Sequence, residues 1–166
     1  MKLELLEDLY IQELGDLLAA EEHMLRMMPE MVGAANNEQL RSALEEHAKE
    51  TESQVERLKQ ILHKFDSSAS VGKGEVAEAL LEKVKLFQQA EAEADIREVA
   101  LVLGSQKLEQ YEIATYSGVL TLAKLLAFYK DASELNRSLQ EERRMSDRLA
   151  ALADSIEVEA VEAEQA

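Results

Sequence analysis

Apolar residues in this chain recur at steps of three and four over four long stretches, with almost no period-two alternation, so the pattern predicts helices throughout and no strand. In the first stretch Leu3, Leu6, Tyr10, Leu14, Leu17, Met24, Met28 and Met31 form one stripe, which predicts a helix over 3–34 that ends at a turn between Gly33 and Asn37. Gly and Asn there suit a left-handed cap, and Pro29 inside the helix predicts a kink or a local break. In the second stretch Leu40, Leu44, Val55, Leu58, Leu62 and Phe65 predict a helix over 37–65, opened by Asn37 as N-cap. The small, polar run DSSASVGKG at 66–74 reads as a linker, and a short amphipathic stretch follows it from Glu75 to Gln88. A third long helix is predicted over 94–128, striped by Val102, Ile113, Tyr116, Leu120, Ala123 and Ala127. A fourth is predicted over 132–156, striped by Leu135, Leu139, Leu149 and Leu152, after a turn near Lys130 and Asp131.

Two helical hairpins joined by a long connection that carries a short helix is the layout of a four-helix bundle with one crossover, as in ferritin-like folds. The expected organisation is therefore one all-helical, ferritin-like domain over 1–156 and an acidic, frayed tail over 157–166.

Each predicted long helix interrupts its own apolar stripe with charge. Glu21 stands between Leu17 and Met24; His47 and Thr51 stand between Leu44 and Val55, with Glu50 one turn beyond His47. Gln106 and Glu109 break the third stripe, with Glu112 one turn from Glu109 on the same face, and Glu142 and Ser146 break the fourth. An ionised carboxylate in a low-dielectric core costs several kcal/mol or more, and several together cost more still, so an inward cluster needs a counter-charge. Lys107, Arg57, Arg143 and Arg144 fall only at the margins of the stripes. A pair of cations between the helices would supply the charge instead, and ligands of oxygen with an imidazole suit iron or manganese. Read singly, His47 is a core histidine, His23 and His63 are surface residues, the methionines are flexible core filling, and Tyr111 and Tyr116 are packing residues within reach of the buried acids.

Composition narrows the chemistry further. No cysteine is present, which excludes disulfides, thiolate zinc and iron–sulfur clusters. The 34 acidic against 18 basic side chains give a formal charge of −16, which argues against nucleic acid and anionic membranes as partners. No stretch has the length of a membrane span or the form of a signal peptide, so a soluble, cytoplasmic protein is expected.

The runs AAEEHML, EEHAKETESQVERL, QKLEQYEIATY and LQEERRMSDRL resemble the bacterial ferritin-like proteins of the YciE and YciF type, over about residues 4–155. The resemblance implies a stress-linked bundle, often dimeric, with a di-metal centre. Carried over by position, it implies Glu21, His47, Glu50, Glu109, Glu112 and Glu142 as ligands, the same set that the stripes select. It also marks a departure. Ferritin-like bundles typically offer Glu-x-x-His from each of two helices, whereas here the second helix reads His47-x-x-Glu50 and the fourth has no histidine, so the site is richer in carboxylate. The expected function is binding of two iron or manganese ions in a homodimer, with or without turnover of dioxygen or peroxide; a metal-free polar layer in a structural oligomer is the alternative.

Overall fold

The computed structural model describes residues 3–65 and 72–156, and these form five helices: α1 (Leu6–Ala34), α2 (Glu38–Leu62), α3 (Glu75–Gln88), α4 (Ala94–Leu125) and α5 (Tyr129–Ser155). No strand occurs among the described residues. Most of the linker expected at 66–74 and the whole of the expected tail lie outside them.

Local chemistry sets the ends. Asn37 caps α2 as expected: its Oδ1 accepts from the Gln39 and Leu40 N–H groups at 2.8 and 3.1 Å, which satisfies two donors that have no partner within the helix. The end of α1 differs from expectation. The helix runs unbroken through Pro29 and Gly33, and Ala35 is extended at φ −72°, so no left-handed cap forms there. The corner is held from outside: both oxygens of the buried Glu98 on α4 accept, at 2.8 Å each, from the Asn36 and Asn37 N–H groups, and Arg41 donates to the Ala35 carbonyl at 2.7 Å.

The turn between α4 and α5 falls at 126–128, earlier than the expected Lys130 and Asp131, both of which lie in the first turn of α5. Ala127, placed on the apolar stripe by its spacing, is exposed and left-handed at φ +58°. The Phe128 N–H donates to the Ala123 carbonyl at 2.8 Å and the Ala127 N–H to the Lys124 carbonyl at 3.1 Å, the paired bonds of a Schellman cap. A left-handed alanine is strained by about 1 kcal/mol where glycine is not, so Ala127→Gly is expected to raise stability by about 0.5–1 kcal/mol, read as an upward shift of the urea midpoint at unchanged slope.

Long-range contacts fix the topology. Tyr10 near the start of α1 packs on Phe128, with ring centroids 5.6 Å apart, while the end of α1 meets Glu98 at the start of α4, so α1 and α4 are antiparallel. Lys64, just past α2, pairs with Asp131 at the start of α5, and Glu46 in the first half of α2 pairs with Arg148 late in α5, so these two are antiparallel as well. The helices α2 and α4 therefore point the same way, and the chain must travel back along the bundle between them. The return is made by α3, which lies across α1 and α4. Its left-handed N-cap, Gly74 at φ +60°, sits so close to α1 that a Cβ would come within 2.8 Å of the Ala20 nitrogen. This single crossover makes the bundle ferritin-like.

The buried side chains fall into two apolar clusters. One is centred on Met24, Met28, Leu44, Leu101, Leu108, Met145 and Leu149, the other on Tyr10, Leu14, Leu17, Leu58, Tyr116, Val119 and Leu139. A polar layer from all four long helices lies between them along the sequence: Glu21, His47, Thr51, Gln54, Glu109, Glu112 and Glu142, each at most 1% exposed, with Arg57 and Glu141 at its edge.

Candidate metal centre

Of the residues selected from the stripes, His47, Glu109, Glu112 and Glu142 converge. Each offers one ligand atom, these atoms lie within 4.8 Å of one another, and all four residues are buried. The His47 Nε2 is 3.3 Å from Glu109 Oε1 and 3.8 Å from Glu142 Oε2. Glu109 and Glu112 meet because residues three apart share a helix face; α5, packed against α4, brings Glu142 to that face, and α2 brings His47.

Glu21 and Glu50 stand on the flanks. Glu21, 1% exposed, accepts a 2.5 Å hydrogen bond from the Tyr116 hydroxyl, so this tyrosine does reach a buried acid rather than serving as packing alone. Glu50 is about one-third exposed; its Oε1 accepts from Arg144 at 3.2 Å, and its Oε2 lies 3.8 Å from His47 Nδ1, too far for a hydrogen bond.

The electrostatics of the layer are dominated by desolvation. Burial pushes the Glu112 carboxyl well above its usual range, and the neighbouring charges of Glu21, Glu142 and Glu109 push it the same way. Glu109 is raised by burial and then by Glu142. Glu21 is raised by burial and by Glu142, against the Tyr116 hydrogen bond. Glu142 is raised by burial, partly offset by His47 and by hydrogen bonds. Glu50 behaves oppositely: the nearby His47 lowers it, partial burial opposes that, and Arg144 lowers it further.

Several polar atoms in this layer have no partner. Both ring nitrogens of His47 and one oxygen each of Glu109, Glu112 and Glu142 are buried without a hydrogen bond. Buried polar atoms in native proteins are nearly always satisfied, and a cation held by these oxygens and by His47 Nε2, the ring nitrogen that faces Glu109 and Glu142, would satisfy all of them but Nδ1. The donor set therefore fits a metal ion.

The stripes missed the support on the other side of Glu142. Gln54 donates to Glu142 and, at 3.2 Å, to Glu141. Arg57 donates to Glu141 at 2.5 Å and to the Ser138 hydroxyl at 2.7 Å. Gln54 stands seven residues after His47, two turns along the same face, which is the signal that would have found it.

Comparison with known proteins agrees with the architecture. The family described as domain of unknown function DUF892 matches residues 5–162. The chain is 32% identical to protein YciF of Escherichia coli (strain K12) over 155 residues, covering 92% of this chain and 93% of that protein. The crystal structure of the E. coli stress protein YciF superposes with a TM-score of 0.85 over 92% of this chain and 96% of that one. The structure of YcfI from Rhodopseudomonas palustris, a candidate structural protein, is 26% identical and superposes with a TM-score of 0.83 over 93% and 96% of the two chains. With the crossover topology and the layer of buried acids in place, the chain belongs to the DUF892 family, the family of the stress protein YciF.

Proposed function

We propose that the bundle binds a pair of iron or manganese ions, with His47, Glu109, Glu112 and Glu142 as the core of the ligand set and Glu21 completing it. The observation that carries this reading is the group of buried, unpartnered ligand atoms on His47, Glu109, Glu112 and Glu142. Charge supports two ions rather than one. Glu141 already has Arg57, so the carboxylates of the polar layer in need of a counter-charge are Glu21, Glu109, Glu112 and Glu142. Their four negative charges are balanced by two divalent cations.

Ions of this class, once bound, supply one-electron redox chemistry toward dioxygen or peroxide. The protein's own part is to position and to exclude water. Tyr116 holds Glu21 through its hydroxyl, Gln54 holds Glu142, and the apolar clusters on both sides keep the layer dry. A hydrogen-bonded layer without metal is the competing reading, favoured by the Arg57–Glu141 pair, which needs no ion.

Elemental mass spectrometry of protein purified without chelator separates the two. About two iron or manganese per chain is expected, falling below one in Glu112→Gln, while a wild-type protein that neither carries nor takes up metal would leave the structural reading. The same variant has a second readout. Removing a buried acid that lacks a counter-charge is expected to make the metal-free Glu112→Gln protein more stable than metal-free wild type at pH 8, by about 1–3 kcal/mol.

A further inference from the structure

Glu50 is the one residue of the predicted ligand set that solvent reaches, with a side chain 36% exposed against 1–2% or less for His47, Glu109 and Glu142. Its two oxygens face different partners. Oε1 is held at 3.2 Å by the exposed guanidinium of Arg144, and Oε2 is directed to His47, 3.8 Å from a buried Nδ1 that has no hydrogen-bond partner. The far nitrogen of the same ring is 3.3 Å from Glu109. A continuous line of charged and ligating groups thus runs Arg144, Glu50, His47, Glu109, from the surface to the centre.

The outer end of that line opens on a groove of about 610 Å³ between α2 and α5, lined by Glu50, Arg144, Lys49 and Arg137 among others. Another groove between the same helices, at Glu38, Arg148 and Leu152, opens on the apolar cluster of Leu149 and Leu152 and meets no ligand. The first groove also mixes its signs: Arg144 pairs with Glu50 and Arg137 with Glu141, which leaves Lys49 as the basic side chain in excess.

Resting on the metal reading above, we propose that cations reach the centre through this groove, that Glu50 is a transfer group delivering them past the His47 ring to the ligand cluster rather than a resident ligand, and that Arg144 guards it. Until a metal arrives, Arg144 neutralises Glu50 and closes the line. An exposed pair of this kind contributes only about 0–1 kcal/mol, so a divalent ion, with twice the charge, displaces the guanidinium readily. Arg144 then acts on rate: its charge opposes the arrival of a cation at Glu50 and so sets how fast the site fills.

Chelator-stripped full-length protein mixed with Co²⁺ in a stopped-flow instrument, followed by visible absorbance, tests this, because rate and final occupancy are read in one trace. Glu50→Gln is expected to slow loading about tenfold and to reach the wild-type end point. Arg144→Ala is expected to load several-fold faster, with the same end point. Both side chains are at the surface, so circular dichroism and melting should match wild type. Wild-type rates in both variants would overturn the route, and a lower end point in Glu50→Gln would make Glu50 a resident ligand. No uptake by wild type at any time would instead overturn the metal reading, and this inference with it.

Discussion

Stripped of metal, the protein is expected to lose stability steadily as pH rises from about 5 to 8, and Mn²⁺ or anaerobic Fe²⁺ is expected to restore it, by about 10 °C in Tm at pH 8 and by less at pH 6. The sign comes from Glu21, Glu109, Glu112 and Glu142, all raised above their ordinary value of 4.5 by burial. Below 4.5 these groups are protonated in both folded and unfolded chains and weigh on neither. Above it, the unfolded chain releases the protons while the folded one retains them, so the folded state binds more protons and stability falls with pH until the raised values are passed. The slope approaches about 1.4 kcal/mol per pH unit for each group that remains protonated only when folded.

Metal is expected to reverse the slope, because a cation binds ionised ligands and displaces their protons. An ion present at about a thousand times its dissociation constant stabilises by about 4 kcal/mol, and a domain of this size gains about 2–4 °C for each. Scanning calorimetry at the two pH values, with chelator and with metal, checks both halves. A metal shift that is absent, or equal at both pH values, would show that these acids are not the ligands.

The helices were legible in the sequence wherever local chemistry decides them. The bounds of α3 are those expected, and Asn37 caps α2. Where a distant residue decides, local signals misled. The α1–α2 corner is closed by Glu98, more than sixty residues away, rather than by Gly33. Lys130 and Asp131 resemble a turn, but Asp131 is buried because Lys64 and Tyr10 reach it from other elements. The stripe on α4 was only half right. Against the expected Gln106 and Ile113, both partly exposed, the helix buries Leu101, Ser105, Leu108 and Val119, because it packs against α1, α3 and α5 and so buries a wider arc than one seam. On α1 the expected stripe extends too far toward the N-terminus: Leu3 and Leu6 are 47% and 42% exposed.

The acids at the centre were legible for a simple reason: a carboxylate in the middle of an apolar ladder has no inexpensive local explanation. Their supporting groups were not. Arg57 and Glu141 sit at the margins of their stripes, where a polar residue ordinarily faces water, and only the packing of α2 against α5 turns them inward, whereas Gln54 stands on the His47 face and is a neutral amide that raises no question of counter-charge.

That supporting network carries the largest expected loss. Arg57→Met is expected to destabilise the protein by about 3 kcal/mol, a fall of about 10 °C in Tm, whether or not metal is bound. The guanidinium is nearly buried and spends its donors on Glu141, the Ser138 hydroxyl and the Ser53 carbonyl, so methionine fills much of its volume while leaving an acid and a hydroxyl behind. Truncating one partner of a buried pair costs about 3–5 kcal/mol, and the low end applies because Gln54 and Arg137 still donate to Glu141. Replacing both members should recover most of the loss, since a well-packed apolar pair is often as stable as the ion pair it replaces. Urea denaturation of Arg57→Met, Glu141→Leu and the double variant therefore forms a cycle with a coupling of about 2 kcal/mol or more. A double variant that regains stability and still binds two metals would show that Arg57 neutralises Glu141 alone, and that the remaining acids depend on the metal. Simple additivity of the two losses would mean that Arg57 acts on the whole layer, Glu21 included, whose carboxyl its charge already lowers.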